Sequence, residues 1–308
     1  MMTKRRGAIA GVLALAAAAC GGSRPAKPAP VTGAPPVEGV RYLAGGDSRN
    51  DASHVVAWAF AEAKARGASG FFFLGDMEIT PELDRSFRDE LRMLDPVPFF
   101  PALGNHEIHQ FGFLPIGVAG AEKAFQEHFL GTARTPVKSV LPGRVVYSTD
   151  LPGGVHFVAL DNVTRAGFGP EQLAWLSDDL ARASGDPLTR HIIVGMHKPL
   201  ARNGVSPHGM EHDGAQAAAD SDAALALFQK HRVSLVLQSH VHQFAKIDFG
   251  GIPAYITGGL GAPLDRVGPE RAFHHFLQID VTADALSVSV VKFRGSQTVA
   301  EEGEPEND

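Results

Sequence analysis

Apolar and polar positions between residues 41 and 295 alternate in a way that predicts strands and helices in turn. Short apolar runs predict buried strands, and apolar positions three and four residues apart predict helices. In the first half, strands are predicted at 41–46, 71–74, 98–103, 145–149 and 155–160, and helices at 51–66, 82–94, 121–129 and 172–183. In the second half, strands are predicted at 191–195, 233–237, 244–247, 254–257, 276–281 and 286–290, with one helix at 215–230. Strand–helix alternation followed by a strand-rich half predicts an α/β fold with two packed sheets and helices outside.

The first twenty residues show a different pattern, which is typical of an export signal. Basic residues at 4–6 precede an apolar run at 8–19, which is too short to span a bilayer stably. The run ends with Ala17-Ala18-Ala19 before Cys20, and it resembles the lipobox of bacterial lipoproteins. We therefore expect residues 1–20 to be a lipoprotein signal peptide whose cysteine carries the lipid. Ordinary cleavage after Ala19 is the alternative.

The remaining segments divide the chain into a tether, one domain and a tail. Residues 21–40 are rich in proline, alanine and glycine, which predicts a flexible tether. Residues 41–295 form one domain, and the acidic residues 296–308 are expected to be disordered. We expect a monomer on the periplasmic or extracellular face of a bacterial cell envelope, held at the membrane by its N-terminal lipid.

Composition narrows the partners of this domain. The chain has 308 residues, of which 44% are hydrophobic and 20% are charged, with a net formal charge of −6. No strongly basic stretch is present, so a nucleic-acid backbone is not an expected partner. The single cysteine excludes a disulfide within the chain.

Five short segments that follow predicted strands carry side chains able to bind metals. They are Gly46-Asp47-Ser48-Arg49, Gly75-Asp76, Gly104-Asn105-His106-Glu107, Met196-His197 and Ser239-His240-Val241-His242. The carboxyl ends of strands are where open α/β sheets place their ligand sites. Taken singly, Asp47 or Asp76 is more simply explained as a turn residue, and His197 as an interior histidine. His240 and His242 are expected to share one face of a strand, and two imidazoles beside carboxylates favour a metal.

The order and the amino-acid residues of these segments resemble the motifs of the calcineurin-like metallophosphoesterase superfamily, in particular those of its purple acid phosphatase-like branch. The similarity runs from about Tyr42 to Ala262 and includes the helix segment Gln172-Leu173-Ala174-Trp175-Leu176. It implies a four-layer α/β/β/α sandwich of two mixed β-sheets flanked by helices. It also implies two metal ions, with Asp76 as the bridging ligand. Asn105, His197 and His240 would complete one metal site, Asp47 and His242 the other, and His106 would be the acid that protonates the leaving group.

The sequence departs from the superfamily pattern at two positions. Arg49 stands where many relatives have a histidine, so the metal at Asp47 lacks one protein ligand, which water or Glu78 would replace. For Arg49 itself, a salt bridge at the sheet edge and a guanidinium that binds phosphate oxygens remain alternatives. Ile79 stands where purple acid phosphatases have a tyrosine, so no tyrosinate-to-iron colour is expected.

The function that follows from this resemblance is hydrolysis of phosphate monoesters or diesters by a hydroxide that bridges two metals. The oxygen and nitrogen ligands suit Fe, Mn or Zn and do not choose among them. We expect a small phosphorylated substrate, recognised by the loops at 108–120 and 198–214, which include Lys198, Arg202, His208 and His212. Alternatives are a cyclic-nucleotide or phospholipid diesterase and, from another class, a catalytically weak module that binds a phosphorylated ligand.

Overall fold

A computed structural model describes residues 39–49, 51, 54–77, 83–108, 117–205, 208–265 and 270–293. The predicted signal peptide with Cys20, the acidic tail, Glu78 and Ile79 lie outside these residues, as does the tether up to residue 38. Within the described part of the chain, no helix has the length and apolar character needed to cross a membrane.

Helices and strands follow one another along the described chain in the predicted order. The strands are β1 (Val40–Gly45), β2 (Gly70–Phe73), β3 (Phe99–Pro101), β4 (Ser139–Val140), β5 (Tyr147–Leu151), β6 (Val155–Ala159), β7 (His191–Gly195), β8 (Leu235–Gln238), β9 (Phe244–Asp248), β10 (Pro253–Thr257), β11 (His275–Val281) and β12 (Leu286–Lys292). The helices are α1 (Val55–Ala65), α2 (Leu83–Met93), α3 (Gly117–His128), α4 (Gly169–Gly185) and α5 (Ala215–Lys230).

These strands form two mixed sheets. The first has the order β12-β11-β1-β2-β3, in which β1, β2 and β3 are parallel and β11 and β12 are antiparallel additions. The second has the order β4-β5-β6-β7-β8-β10-β9, with a parallel centre from β6 through β8 to β10. The parallel strands at the centre of each sheet therefore end at a shared edge, where side chains from separate motifs can meet.

Aromatic side chains fill the space between the two sheets. Phe72 of β2 stacks on Phe157 of β6, with ring centroids 4.2 Å apart. The neighbouring Phe71 points the other way and meets Phe60 of α1 edge-on at 5.2 Å. On the outer face of the second sheet, buried residues of α4 and α5 such as Leu176 pack with strand residues into a separate apolar cluster. This alternation gives the α/β/β/α layering that the sequence predicts.

Element boundaries agree closely with the predictions at most positions. The strand at 191–195 and the helix at 215–230 are found as predicted. Helix α1 begins at Val55 rather than at residue 51, because the Asp51 carboxylate accepts hydrogen bonds from the amides of Val55 and Val56 at 2.8 and 2.9 Å. The two-residue strand β4 was not predicted.

Candidate metal centre

Each of the five motif segments follows a strand, as the sequence predicts. The aspartates of the first two segments come after β1 and β2, and Asn105 comes after β3. His197 follows β7, and the two-histidine segment follows β8. Because β1 to β3 belong to one sheet and β7 and β8 to the other, the side chains approach one another from both sheets.

One group of four side chains converges around Asn105. Its Oδ1 atom lies 2.8 Å from Nε2 of His197 and 3.0 Å from Nδ1 of His240. Those two imidazole nitrogens are 3.2 Å apart, and Nε2 of His197 is 3.3 Å from Oδ1 of Asp76. The four residues that the family resemblance assigns to one metal therefore point their ligand atoms at one small volume.

Hydrogen bonds to backbone carbonyls determine which imidazole nitrogens of His197 and His242 face the site. Nδ1–H of His197 donates to the carbonyl of Leu74 at 2.7 Å, and Nδ1–H of His242 donates to the carbonyl of Pro263 at 2.7 Å. In both residues Nε2 is therefore the nitrogen directed into the site. A hydrogen bond of this kind sets the tautomer and the ring orientation of a metal-binding histidine.

A second group consists of Asp47, Asp76 and His242, whose ligand atoms all lie within 4.8 Å of one another. Nε2 of His242 is 3.5 Å from Oδ1 of Asp47. Oδ1 of Asp47, Oδ2 of Asp76 and Nε2 of His242 are buried and have no hydrogen-bond partner among the described residues. Three unpaired polar atoms in one buried volume carry a large desolvation cost, which a cation bound between them would remove. The residues therefore fit a metal pair with Asp76 shared between the two groups.

Three of these residues have a left-handed backbone. Asp47, Asp76 and His240 have φ values of 63°, 61° and 68°. Residues other than glycine rarely adopt this backbone conformation, which costs them about 1–3 kcal/mol each. Each of the three residues lies just after a strand, at positions 47, 76 and 240.

One prediction about local geometry was wrong. His240 and His242 do not sit on one face of a strand, because β8 ends at Gln238 and both histidines lie in the bend that precedes β9. The left-handed backbone at His240 separates the two imidazoles. His240 joins the group around Asn105, whereas His242 joins the group around Asp47.

The two buried aspartates have opposite pKa shifts. Burial raises the pKa of Asp76 to about 6, and the nearby charge of Asp47 adds to this rise, whereas His197 opposes it. Burial alone would also raise the pKa of Asp47, but His242, His197 and the Ser239 hydroxyl outweigh it and hold this pKa below its usual range. Asp47 is therefore the carboxylate that stays charged most readily.

His106 and Arg49 lie beside Asp76. The Arg49 guanidinium is 2.5 Å from Nε2 of His106, and the same nitrogen is 3.9 Å from Oδ2 of Asp76. Burial lowers the pKa of His106 to about 3, with the positive charge of Arg49 as the next contribution. In this arrangement Arg49 donates to His106, which is a contact that neither of the two sequence alternatives for Arg49 included.

Two further residues, Glu107 and Ser239, support the site. Both belong to the motif segments, but the sequence alone did not indicate a role for either. The buried Glu107 carboxylate accepts from the amides of Gly104 at 2.6 Å and Asp76 at 3.0 Å, which ties two motif segments together. The Ser239 hydroxyl donates to Oδ2 of Asp47, which also accepts from the amide of His240 at 2.9 Å. Their position directly beside ligand residues was the available signal.

Two basic residues of the loop at 198–214 pair with carboxylates, one within the loop and one in α5. Nζ of Lys198 contacts both carboxylate oxygens of Asp213 at 2.7 and 2.8 Å. Arg202 pairs with Asp222, and the rings of His208 and His212 are 5.9 Å apart. The other predicted recognition loop lies largely in residues 109–116, outside the described chain.

Residues 46–244, which contain all five motif segments, match the Calcineurin-like phosphoesterase family. The chain belongs to this family. Family membership implies a dinuclear metal centre, in agreement with the ligand geometry above. The α/β fold of two mixed sheets flanked by helices is the fold of this family, as the resemblance implied.

Among individual relatives, this chain is similar to a purple acid phosphatase. It is 29% identical over 193 residues to purple acid phosphatase 23 of Arabidopsis thaliana, a match that covers 59% of this chain and 38% of that protein. The chain therefore spans well under half the length of this curated relative.

Three solved structures share the fold of this chain. A purple acid phosphatase from yellow lupin (Lupinus luteus) has a TM-score of 0.63 at 17% identity, covering 85% of this chain and 53% of that one. A dimetal phosphatase from Danio rerio has a TM-score of 0.61 at 14% identity, covering 83% and 96%. GAP50, described as the anchor in the inner membrane complex of Plasmodium, has a TM-score of 0.59 at 14% identity, covering 83% and 85%.

Proposed function

We propose that this protein is a metal-dependent phosphoesterase that hydrolyses phosphate monoesters or diesters of small molecules. The observation that carries the proposal is the convergence of Asp47, Asp76 and His242, whose unpaired buried atoms face the cluster of Asn105, His197 and His240. These six side chains would hold two metal ions, with Asp76 shared between them.

The oxygen and nitrogen ligands favour Fe, Mn or Zn over metals that prefer thiolates. When bound, a pair of such ions activates water near neutral pH and neutralises charge on the phosphoryl oxygens. The chain's own contribution is to hold the ligand atoms of both sheets at fixed positions. Burial of Asp47 and Asp76 excludes bulk water and strengthens these electrostatic contacts.

His106 and Arg49 would act on the substrate from one side of the site. We assign His106 to the leaving-group oxygen and Arg49 to a phosphate oxygen, for which its planar guanidinium is suited. His106 is neutral in the free protein because its pKa is lowered to about 3. Its role as an acid therefore requires the negative charge of a bound phosphate to raise that pKa.

Assays with an aryl phosphate and its bis-aryl diester test this proposal and separate the two ester classes. The metal-free full chain is assayed with and without added Mn²⁺, alongside Asp76→Asn. We expect Mn²⁺-dependent hydrolysis of at least one substrate, and loss of both metal binding and activity in the variant. Bound metal without hydrolysis of either substrate would instead favour the phosphate-binding module.

We also propose that the protein is tethered at the bacterial cell envelope through Cys20. The basic residues, apolar run and terminal cysteine of residues 1–20 support this assignment. Mass spectrometry of the mature N-terminus tests it, because lipidation adds fatty acyl mass to Cys20 and ordinary cleavage leaves an unmodified cysteine.

A further inference from the structure

Ser239 connects the two halves of the site. Its hydroxyl, fully buried, donates to Oδ2 of Asp47, so a side chain that follows β8 in the second sheet contacts a ligand that follows β1 in the first. Its amide donates to the carbonyl of His197 at 2.8 Å, and its carbonyl accepts from Val241 at 2.7 Å. One serine is thus bonded both to the Asp47 group and to the chain that carries His197.

Hydrogen bonds distinguish the two carboxylate oxygens of Asp47. Oδ2 accepts two hydrogen bonds, from the Ser239 hydroxyl and from the amide of His240, while Oδ1 faces Nε2 of His242. Oδ1 has no hydrogen-bond partner among the described residues. The carboxylate is therefore held so that a single oxygen is presented to the site.

Gly46, which directly follows β1, leaves space for the contact between Ser239 and Asp47. A Cβ atom on Gly46 would lie 2.3 Å from the Ser239 hydroxyl and 3.0 Å from its Cβ, so any side chain at position 46 would displace the serine. The glycine before Asp47 and the serine before His240 thus form a complementary pair.

We propose that Ser239 is a positioning residue that orients Asp47 as a one-oxygen ligand and so sets the affinity of the metal held by Asp47 and His242. This inference rests on the proposed metal centre. The effect matters at this site because Arg49 replaces the histidine that many relatives have there, which leaves few protein ligands to fix the ion. Loss of a residue that orients a ligand typically weakens metal affinity about 10- to 100-fold.

Calorimetric titration of the metal-free full chain with Mn²⁺ tests the proposal without depending on catalysis. We expect two binding events in the wild type. In Ser239→Ala, which removes the hydroxyl and keeps Cβ, one event should weaken about 10- to 100-fold and the other should stay unchanged. Ser239→Gly should reproduce this result, and Ser239→Thr, which keeps a hydroxyl, should restore affinity.

The matched control is Ser221→Ala. Ser221 is also buried, and its hydroxyl accepts at 2.9 Å from the amide of Ala201, which is not one of the proposed metal ligands. This variant should bind both ions as the wild type does. Thermal unfolding in chelator verifies that each variant is folded before titration.

The outcomes separate this inference from the proposed function. Wild-type affinities in Ser239→Ala, or equal weakening of both events, would overturn the role of Ser239 while leaving the metal centre in place. Absence of any binding event in the wild type would overturn the metal centre itself, and the role of Ser239 with it.

Discussion

At the scale of single residues, His106 is the side chain whose proposed role depends most on its neighbours. It lies between the Arg49 guanidinium at 2.5 Å and the Asp76 carboxylate at 3.9 Å. The positive charge of Arg49 lowers the pKa of His106, whereas a negative charge on Asp76 opposes that effect. A bound phosphate would add negative charge on the favourable side.

We expect His106→Ala to retain both metals and to lose turnover chiefly on substrates with poor leaving groups. General acid catalysis is worth about 10²- to 10⁴-fold in rate, and an aryl leaving group needs little of it. Comparing kcat for an alkyl and an aryl phosphate measures the difference, with His128→Ala at an exposed helix end as the control. An equal loss on both substrates would mean that His106 orients Arg49 instead of donating a proton.

The proposed metal ligands and His106 could be predicted from the sequence because each follows an apolar strand. Such a strand has no packing reason to end in an acid or an imidazole. The sequence did not reveal the contacts made by Ser239 and Glu107. The contacts of Ser239 with Asp47 and of Glu107 with Asp76 join segments far apart in the chain, and these hydrogen bonds depend on how closely the strand ends approach. The pairing of Arg49 with His106 was missed for the same reason.

At the scale of elements, a charge network that includes the buried His156 and Asp179 joins β5, β6 and α4. His156 of β6 places Nδ1 2.7 Å from Oδ1 of Asp150 and Nε2 2.8 Å from Oδ2 of Asp179. Burial alone would lower the pKa of His156, but hydrogen bonds and charge from Asp179 and Asp150 outweigh it and raise this pKa above 6.5. The protonated imidazole therefore binds the helix to the sheet.

We expect this network to make the stability of the domain depend on pH. Because the folded pKa of His156 is raised, its contribution is complete below the unfolded value of about 6.5 and disappears as pH rises through the folded pKa. The free energy of unfolding of the wild type should exceed that of His156→Gln most at low pH, and the difference should shrink as pH rises. Urea unfolding at a series of pH values measures this, and a constant difference would contradict it.

Periodicity predicted elements well where one side of a segment packs on a sheet, as in α5, and less well where side chains replace backbone hydrogen bonds. Asp51 takes up the first amides of α1 and moves its start to Val55. The bend at His240 and His242 could not be read from alternation, because two histidines one residue apart fit a strand and a bend equally.

At the scale of the whole molecule, the centre is aromatic packing between the two sheets. Phe72 and Phe157 stack across the interface, and Tyr42 stacks on Phe72 at 5.1 Å. The layering was predictable from the order of strands and helices. The placement of β11 beside β1 and of β10 between β8 and β9 was not, because long-range pairing leaves no local pattern.

We expect Phe157→Ala to lower the free energy of unfolding by about 3–5 kcal/mol, because it removes a fully buried ring and leaves a cavity between the sheets. Urea unfolding of the metal-free protein measures the loss. Leu188→Ala, at a side chain that is 70% exposed, should change stability by no more than about 0.5 kcal/mol. A comparable loss in both variants would indicate that the inter-sheet ring contributes nothing special.

The left-handed backbone at Asp47, Asp76 and His240 sets a conflict between durability and chemistry. Glycine adopts that conformation freely, so replacing any of the three with glycine would relieve backbone strain while removing a side chain that is proposed to bind a metal ion. A laboratory selection that rewards heat resistance without requiring turnover should therefore enrich glycine at positions 47, 76 and 240. The most heat-resistant variants from such a selection would be those that had lost the proposed metal ligands.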